Sequence, residues 1–277
     1  MMTRNLEELA KIIPLELKKW VFAPHPDDEV LGCGGILAKY PDDFFVICMT
    51  DGGGSKGAKK GKEEQRKLVE ERKKDDILGL MNLKVYNSLY LNHREIKTEE
   101  GKSRIKQDLE ILLNAGNPEY IFIHSPYEFI SKHSEVSGVL THRIATGAVI
   151  DILRKLKKSN LKLFGYEVWD EIPKGPSIFI EDISEQINYV TAAMTAHRTE
   201  RIIDFIRMKK GRAKTIAATY DNAPDKFQYG ERFLDMSVLL NNNQTLKEYC
   251  EFRLENADNY LPLGLFEELK GGVKNGI

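Results

Sequence analysis

The stretch Trp20-Val21-Phe22-Ala23-Pro24-His25-Pro26-Asp27-Asp28-Glu29 decides the fold and points to the chemistry. Residues 20–23 form a short apolar run that reads as a buried strand, and residues 30–38 carry apolar side chains at helical spacing. His25, Asp27 and Asp28 therefore fall on a strand-to-helix turn. At the carboxyl end of a strand in an open α/β sheet, that turn is where ligands bind. Pro24 and Pro26 hold the turn extended and keep His25 out of the helix. Two consecutive aspartates leave such a backbone in different directions, so one can bind a cation while its neighbour faces water or a substrate.

Outward from this turn, short apolar runs alternate with longer segments of helical period. Strands are expected at residues 20–23, 44–50, 85–91, 120–124, 162–169 and 177–180. Helices are expected at 30–38, 63–81, 103–114 and 139–156, followed by 183–196 and 201–218. The alternation predicts an α/β fold: a Rossmann-like, mostly parallel sheet flanked by helices, with a helical C-terminal portion. With no internal repeat and no Pro/Ser-rich linker, residues 1–277 read as one domain, its core at about 18–240 and a helical extension at 241–277. Residues 6–17 read as a mildly amphipathic helix packed on that domain. Two long connections, 51–62 and 125–138, have the length of functional lids. Lysines around the first of them suit a solvated helix face balanced by glutamates, or a phosphate contact.

Composition narrows the partners. A formal net charge of −1 over 277 residues gives no electrostatic case for nucleic acid or an anionic membrane. No apolar run reaches the roughly 18 residues that span a bilayer, and the N-terminus lacks the pattern of a signal peptide. Cys33, Cys48 and Cys250 show no paired spacing, which fits a reducing cytoplasm. The expectation is a cytoplasmic protein acting on a small molecule. Association into a homo-oligomer is left open.

A hydrolytic zinc site needs about three nitrogen or oxygen ligands and an open position. His25 and Asp28 supply two, and the third must come from a distant segment. His142 lies at the start of the helix after the fourth strand, which brings it to the same sheet edge. Two histidines and one carboxylate also suit a non-haem Fe(II) enzyme. An Asx turn with a helix N-cap is the purely structural reading, although capping requires neither the histidine nor the prolines.

The first motif, A/P-H-P-D-D-E, resembles that of the PIG-L/LmbE-type zinc-dependent N-acetylglucosaminyl deacetylase family. Further segments follow in order: Leu31-Gly32-Cys33-Gly34-Gly35, Met49-Thr50-Asp51-Gly52-Gly53, Arg72 with Asp75, Thr141-His142-Arg143-Ile144-Ala145, Gly165-Tyr166-Glu167-Val168-Trp169 and Tyr229-Gly230-Glu231-Arg232-Phe233. The resemblance implies a hydrolase removing acetate from an N-acetyl amino sugar conjugate, with Zn2+ or another divalent metal such as Fe2+. It implies His25, Asp28 and His142 as metal ligands and Asp27 as the general base for the water on the metal. One departure is clear. The family segment H-x-D-H stands here as Val139-Leu140-Thr141-His142, so the usual acid position holds valine. His133 and His124 are the candidates to protonate the leaving amine, with Asp27 acting as base and then acid as the alternative. Arg72 is a candidate contact for a sugar hydroxyl or phosphate, and Glu167 a candidate sugar-facing carboxylate. His197 has no role assigned by its local sequence. The vacancy at Val139 also allows a non-catalytic metal- or sugar-binding relative.

Overall fold

A computed structural model describes residues 11, 13–53, 61–94, 96–129, 137–158, 160–168, 172, 178–199, 202–219, 226–241, 244–246 and 248–249. Seven strands form one sheet: β1 (Lys19–Ala23), β2 (Phe44–Thr50), β3 (Ser88–His93), β4 (Tyr120–His124), β5 (Lys162–Tyr166), β6 (Ile178–Asp182) and β7 (Gly230–Asp235). Around them lie α1 (Asp28–Lys39), α2 (Lys62–Asn82), α3 (Glu99–Ala115), α4 (Ser137–Lys155), α5 (Ile187–Ala196) and α6 (Ile202–Ala218). The sheet order is β3-β2-β1-β4-β5-β7-β6. β1 to β5 run parallel, and β7 pairs antiparallel with both β5 and β6. The α/β, mostly parallel architecture is the one expected.

Why the central strands read as continuous apolar runs follows from this order, because helices cover both faces of a parallel sheet. All seven residues of β2 are buried. Alternate side chains feed two cores: Trp20, Phe22, Phe45, Ile47 and Met49 pack on one face with residues of α3 and α4. Val21, Phe44 and Val46 pack on the other with residues of α1 and α5.

The order also fixes where ligands can bind. From β1 the chain proceeds outward through β2 and β3, then returns to place β4 on the other side of β1. The crevice between the carboxyl ends of β1 and β4 is the topological switch point. The His25 turn follows β1, and His124 ends β4.

Several expected boundaries shift. The fifth strand ends at Tyr166 rather than residue 169, because the Glu167 carboxylate turns back to accept the Ile172 N–H at 2.5 Å. The third strand begins at Ser88, and the helix expected from 183 begins at Ile187 after a turn in which Gln186 N–H donates to Ile183 O. β7, quoted only as a motif, is a strand. Its Gly-Glu-Arg start lacks β-forming residues, and pairing on both edges supplies what propensity does not. Residues 1–10, most of the expected C-terminal extension, and positions 54–60 and 130–136 of the two long connections lie outside the described residues.

Helix α1 meets the sheet through glycines. A Cβ at Gly32 would lie 2.1 Å from Cδ2 of Tyr166, whose hydroxyl donates to Phe22 O at 2.9 Å. Gly32→Ala should cost about 1–3 kcal/mol by overpacking, read as a lower midpoint in chemical denaturation.

Candidate metal centre and its surroundings

Pro24 O accepts both the Thr50 N–H at 3.1 Å and the Thr50 hydroxyl at 2.7 Å, tying the first turn to the end of β2. The turn is tight enough that Asp27 takes φ 124°, outside the regions open to non-glycine residues. Such a conformation costs of order 1–3 kcal/mol and persists only where surrounding contacts impose it. Arg72, buried in α2, supplies three of them. Its guanidinium donates to Gly52 O at 2.8 Å, Pro26 O at 3.2 Å and Asp27 Oδ2 at 3.2 Å.

Asp28 opens α1, and its carboxylate meets different partners. Asp28 Oδ2 accepts the His25 N–H at 2.8 Å and lies 3.2 Å from both His25 Nδ1 and His142 Nε2. The two imidazole nitrogens are themselves 3.0 Å apart. Three donor atoms from segments more than a hundred residues apart thus form a nearly equilateral triangle. Bonds of about 2.0 Å at tetrahedral angles would place donors about 3.3 Å apart, so the set fits a zinc-sized ion. Burial alone would raise the Asp28 pKa, but the charges and hydrogen bonds of His142 and His25 together outweigh it and hold the carboxyl well below its ordinary range. For His25, burial dominates and lowers the pKa against the opposing pull of Asp28. The first direction favours an anionic Asp28 oxygen and the second a neutral His25 ring, the states a cation needs from these two ligands.

The remaining candidates sit around this triangle. The His124 ring lies 4.3 Å from that of His142, centroid to centroid, and His124 Nδ1 is 2.9 Å from Ser125 O. A carbonyl only accepts, so Nδ1 carries the hydrogen. His133 and the side chain of Val139 lie outside the described residues. Arg72 is brought to Asp27, within the wall of the site. Glu167 is buried, paired with Arg232 Nε at 3.0 Å, and lines a small charged cavity with Lys209, Arg212 and Glu231. Asp75 accepts the Thr199 N–H at 3.2 Å.

Two features escaped the sequence. Asp51, at the end of β2, accepts from Gly53 N–H at 2.9 Å and holds the half-exposed Arg94 at 2.9 Å on the same edge. Glu29 and Asp76 are wholly buried behind the turn. A signal existed for Asp76, which continues an i, i+4 row with Leu68, Arg72 and Leu80 on the inner face of α2.

Residues 20–153 match the family model described as PIG-L, GlcNAc-PI de-N-acetylase. That segment is PIG-L-like. No curated protein matches the chain. The N,N'-diacetylchitobiose deacetylase of Pyrococcus horikoshii superposes with a TM-score of 0.59 at 21% identity, over 88% of this chain and 94% of that one. A deacetylase of the teicoplanin biosynthetic pathway gives 0.57 at 18%, over 79% and 97%. The 4-carboxy-2-hydroxymuconate hydratase GalB of Pseudomonas putida gives 0.57 at 15%, over 79% and 96%. At these identities the likeness establishes a shared α/β fold.

The Arg72–Asp27 pair is nearly enclosed, so removing one partner strands the other. Arg72→Met, which keeps length and loses charge, should destabilise the protein by about 3–5 kcal/mol, measured by urea titration at neutral pH.

Proposed function

We propose that the chain is a divalent-metal-dependent N-deacetylase that hydrolyses the acetamide of an N-acetylated amino sugar or its conjugate. The observation that carries this reading is the triangle of His25 Nδ1, Asp28 Oδ2 and His142 Nε2 with edges of 3.0–3.2 Å, set beside a second carboxylate that stays out of it. The PIG-L match over residues 20–153 supports it independently.

His25, Asp28 and His142 would hold the ion, zinc or another divalent metal such as iron(II). When bound, the ion supplies Lewis acidity, lowering the pKa of the attacking water towards about 7 and polarising the amide carbonyl. Asp27 takes the proton of that water on its carboxylate. Arg72, 3.2 Å from Asp27 Oδ2, fixes which way the carboxylate faces. Collapse of the tetrahedral adduct breaks the C–N bond, and the departing amine must gain a proton. His124 is one candidate: with hydrogen on Nδ1, its Nε2 is the atom that would carry the transferred proton. His133 is the second candidate, and Asp27 returning its proton is the third. The acceptor is a small sugar conjugate, and the compartment proposed from the cysteine pattern is the cytoplasm.

GalB, on the same fold, favours a second reading in which water adds to a carbon–carbon double bond. Acetate release from a panel of sugar nucleotides, lipid-linked sugars, glycosyl inositols and pseudo-disaccharides separates the two.

His25→Ala, Asp28→Ala and His142→Ala should each lose or greatly weaken the ion of this triangle, read by elemental analysis of purified protein as one equivalent fewer than the wild type. Asp27→Asn should keep the ion and slow hydrolysis by roughly 10²–10⁴-fold. Zinc lost from Asp27→Asn but kept in Asp28→Asn would mean the two carboxylates have exchanged roles. A His124→Ala/His133→Ala double variant should lose turnover while binding metal normally. Wild-type turnover in that variant would leave Asp27 as sole proton carrier.

A further inference from the structure

A second set of donors lies behind the catalytic turn, on three different elements. Glu29 stands in the first turn of α1, Asp76 in α2, and His197 is the C-cap residue of α5. Their relative exposures are 0%, 0% and 3%. One ligand atom from each lies within 4.8 Å of the others, and His197 Nε2 is 4.0 Å from Asp76 Oδ1. Gly79 makes this approach possible, since a Cβ there would stand 2.7 Å from His197 Nε2.

The hydrogen bonding is lopsided. Tyr90 donates to Asp76 Oδ2 at 2.6 Å, while Asp76 Oδ1 and Glu29 Oε1 are buried without a hydrogen-bond partner. Among the described residues no lysine or arginine pairs with either carboxylate. Two carboxylates in an enclosed space without a cation are costly, and buried charges ordinarily pair or coordinate metal.

We propose that Glu29, Asp76 and His197 form a second, enclosed divalent-cation site that ties α1, α2 and α5 together behind the catalytic turn. An octahedral ion with bonds of about 2.1–2.2 Å sets adjacent donors about 3 Å apart and opposite donors about 4.3 Å apart. The observed spacing therefore needs only small side-chain adjustment. Two carboxylate oxygens with one imidazole suit Mn2+ or Zn2+ and disfavour soft ions such as Cu+. A divalent ion would offset both carboxylate charges, and its place is structural, since the donors are closed to solvent. Without a cation, burial and the Asp76 charge push the Glu29 carboxyl well above its ordinary range, and a shared proton is the competing state.

Elemental analysis of the full chain, loaded with excess Zn2+ or Mn2+ and desalted, tests this without reference to turnover. A His25→Ala/His142→Ala variant should retain one tight equivalent. Adding Asp76→Asn or His197→Gln to it should remove that equivalent, with near-ultraviolet circular dichroism confirming a folded chain. Metal should also raise the Tm of the His25→Ala/His142→Ala variant, and Asp76→Asn should abolish the rise. No tight ion in the His25→Ala/His142→Ala variant overturns the proposal. So does an ion retained after both Asp76→Asn and His197→Gln. Neither outcome depends on whether the first triangle catalyses deacetylation.

Discussion

Asp28 Oδ2 is the atom on which the site converges. It accepts the backbone N–H of His25 and stands 3.2 Å from two imidazole nitrogens, one on its own turn and one on α4. Satisfying all three forces the chain from Pro24 to Glu29 into a single path. That path is what places Asp27 at φ 124° and leaves its carboxylate outside the triangle, paired with Arg72. Backbone strain and carboxylate direction have the same cause. The side chain that stays out of the triangle is the one Arg72 holds.

Holding that path requires the rest of the molecule. Arg72 grips Asp27, Pro26 and Gly52 from one side, and Thr50 grips Pro24 from beneath. Further along α1, Gly35 and Ile36 donate their N–H groups to Glu231 at 2.7 and 2.9 Å, and Lys209 neutralises that carboxylate at 2.8 Å. Helix α1 is thus anchored by a strand nearly two hundred residues later. The glycines at 32 and 35 matter because Tyr166 and Glu231 come so close that a Cβ would collide with them. A deviation in β7 would reach the His25–Asp28–His142 triangle through the helix it fixes.

Shared architecture does not by itself choose a reaction. Deacetylases and a hydratase superpose on this chain with similar scores. What argues for hydrolysis is the local arrangement, in which one carboxylate joins two imidazoles and its neighbour stands outside that set, paired with a guanidinium. Both chemistries need an activated water.

The sequence alone determined the parts that depend on local pattern. Continuous apolar runs at 44–50 and 120–124 became strands with those bounds, because residues covered on both faces leave no alternation to misread. His-Pro-Asp-Asp located the strand-to-helix turn, because two prolines and an interrupted apolar run leave little else for the backbone to do. The expected convergence of His142 on that turn followed from the order of strands and helices. Tertiary structure decided what depends on pairing across distance. β7 is a strand because β5 and β6 each offer it an edge, although Gly-Glu-Arg has no propensity for one. Arg72 faces Asp27, and Glu167 meets Arg232, because buried charge must find a partner, and the partner's position is set by packing between elements. Glu29, Asp76 and His197 lie far apart along the chain, and only the stacking of α1, α2 and the end of α5 on one face of the sheet brings them within reach of one another.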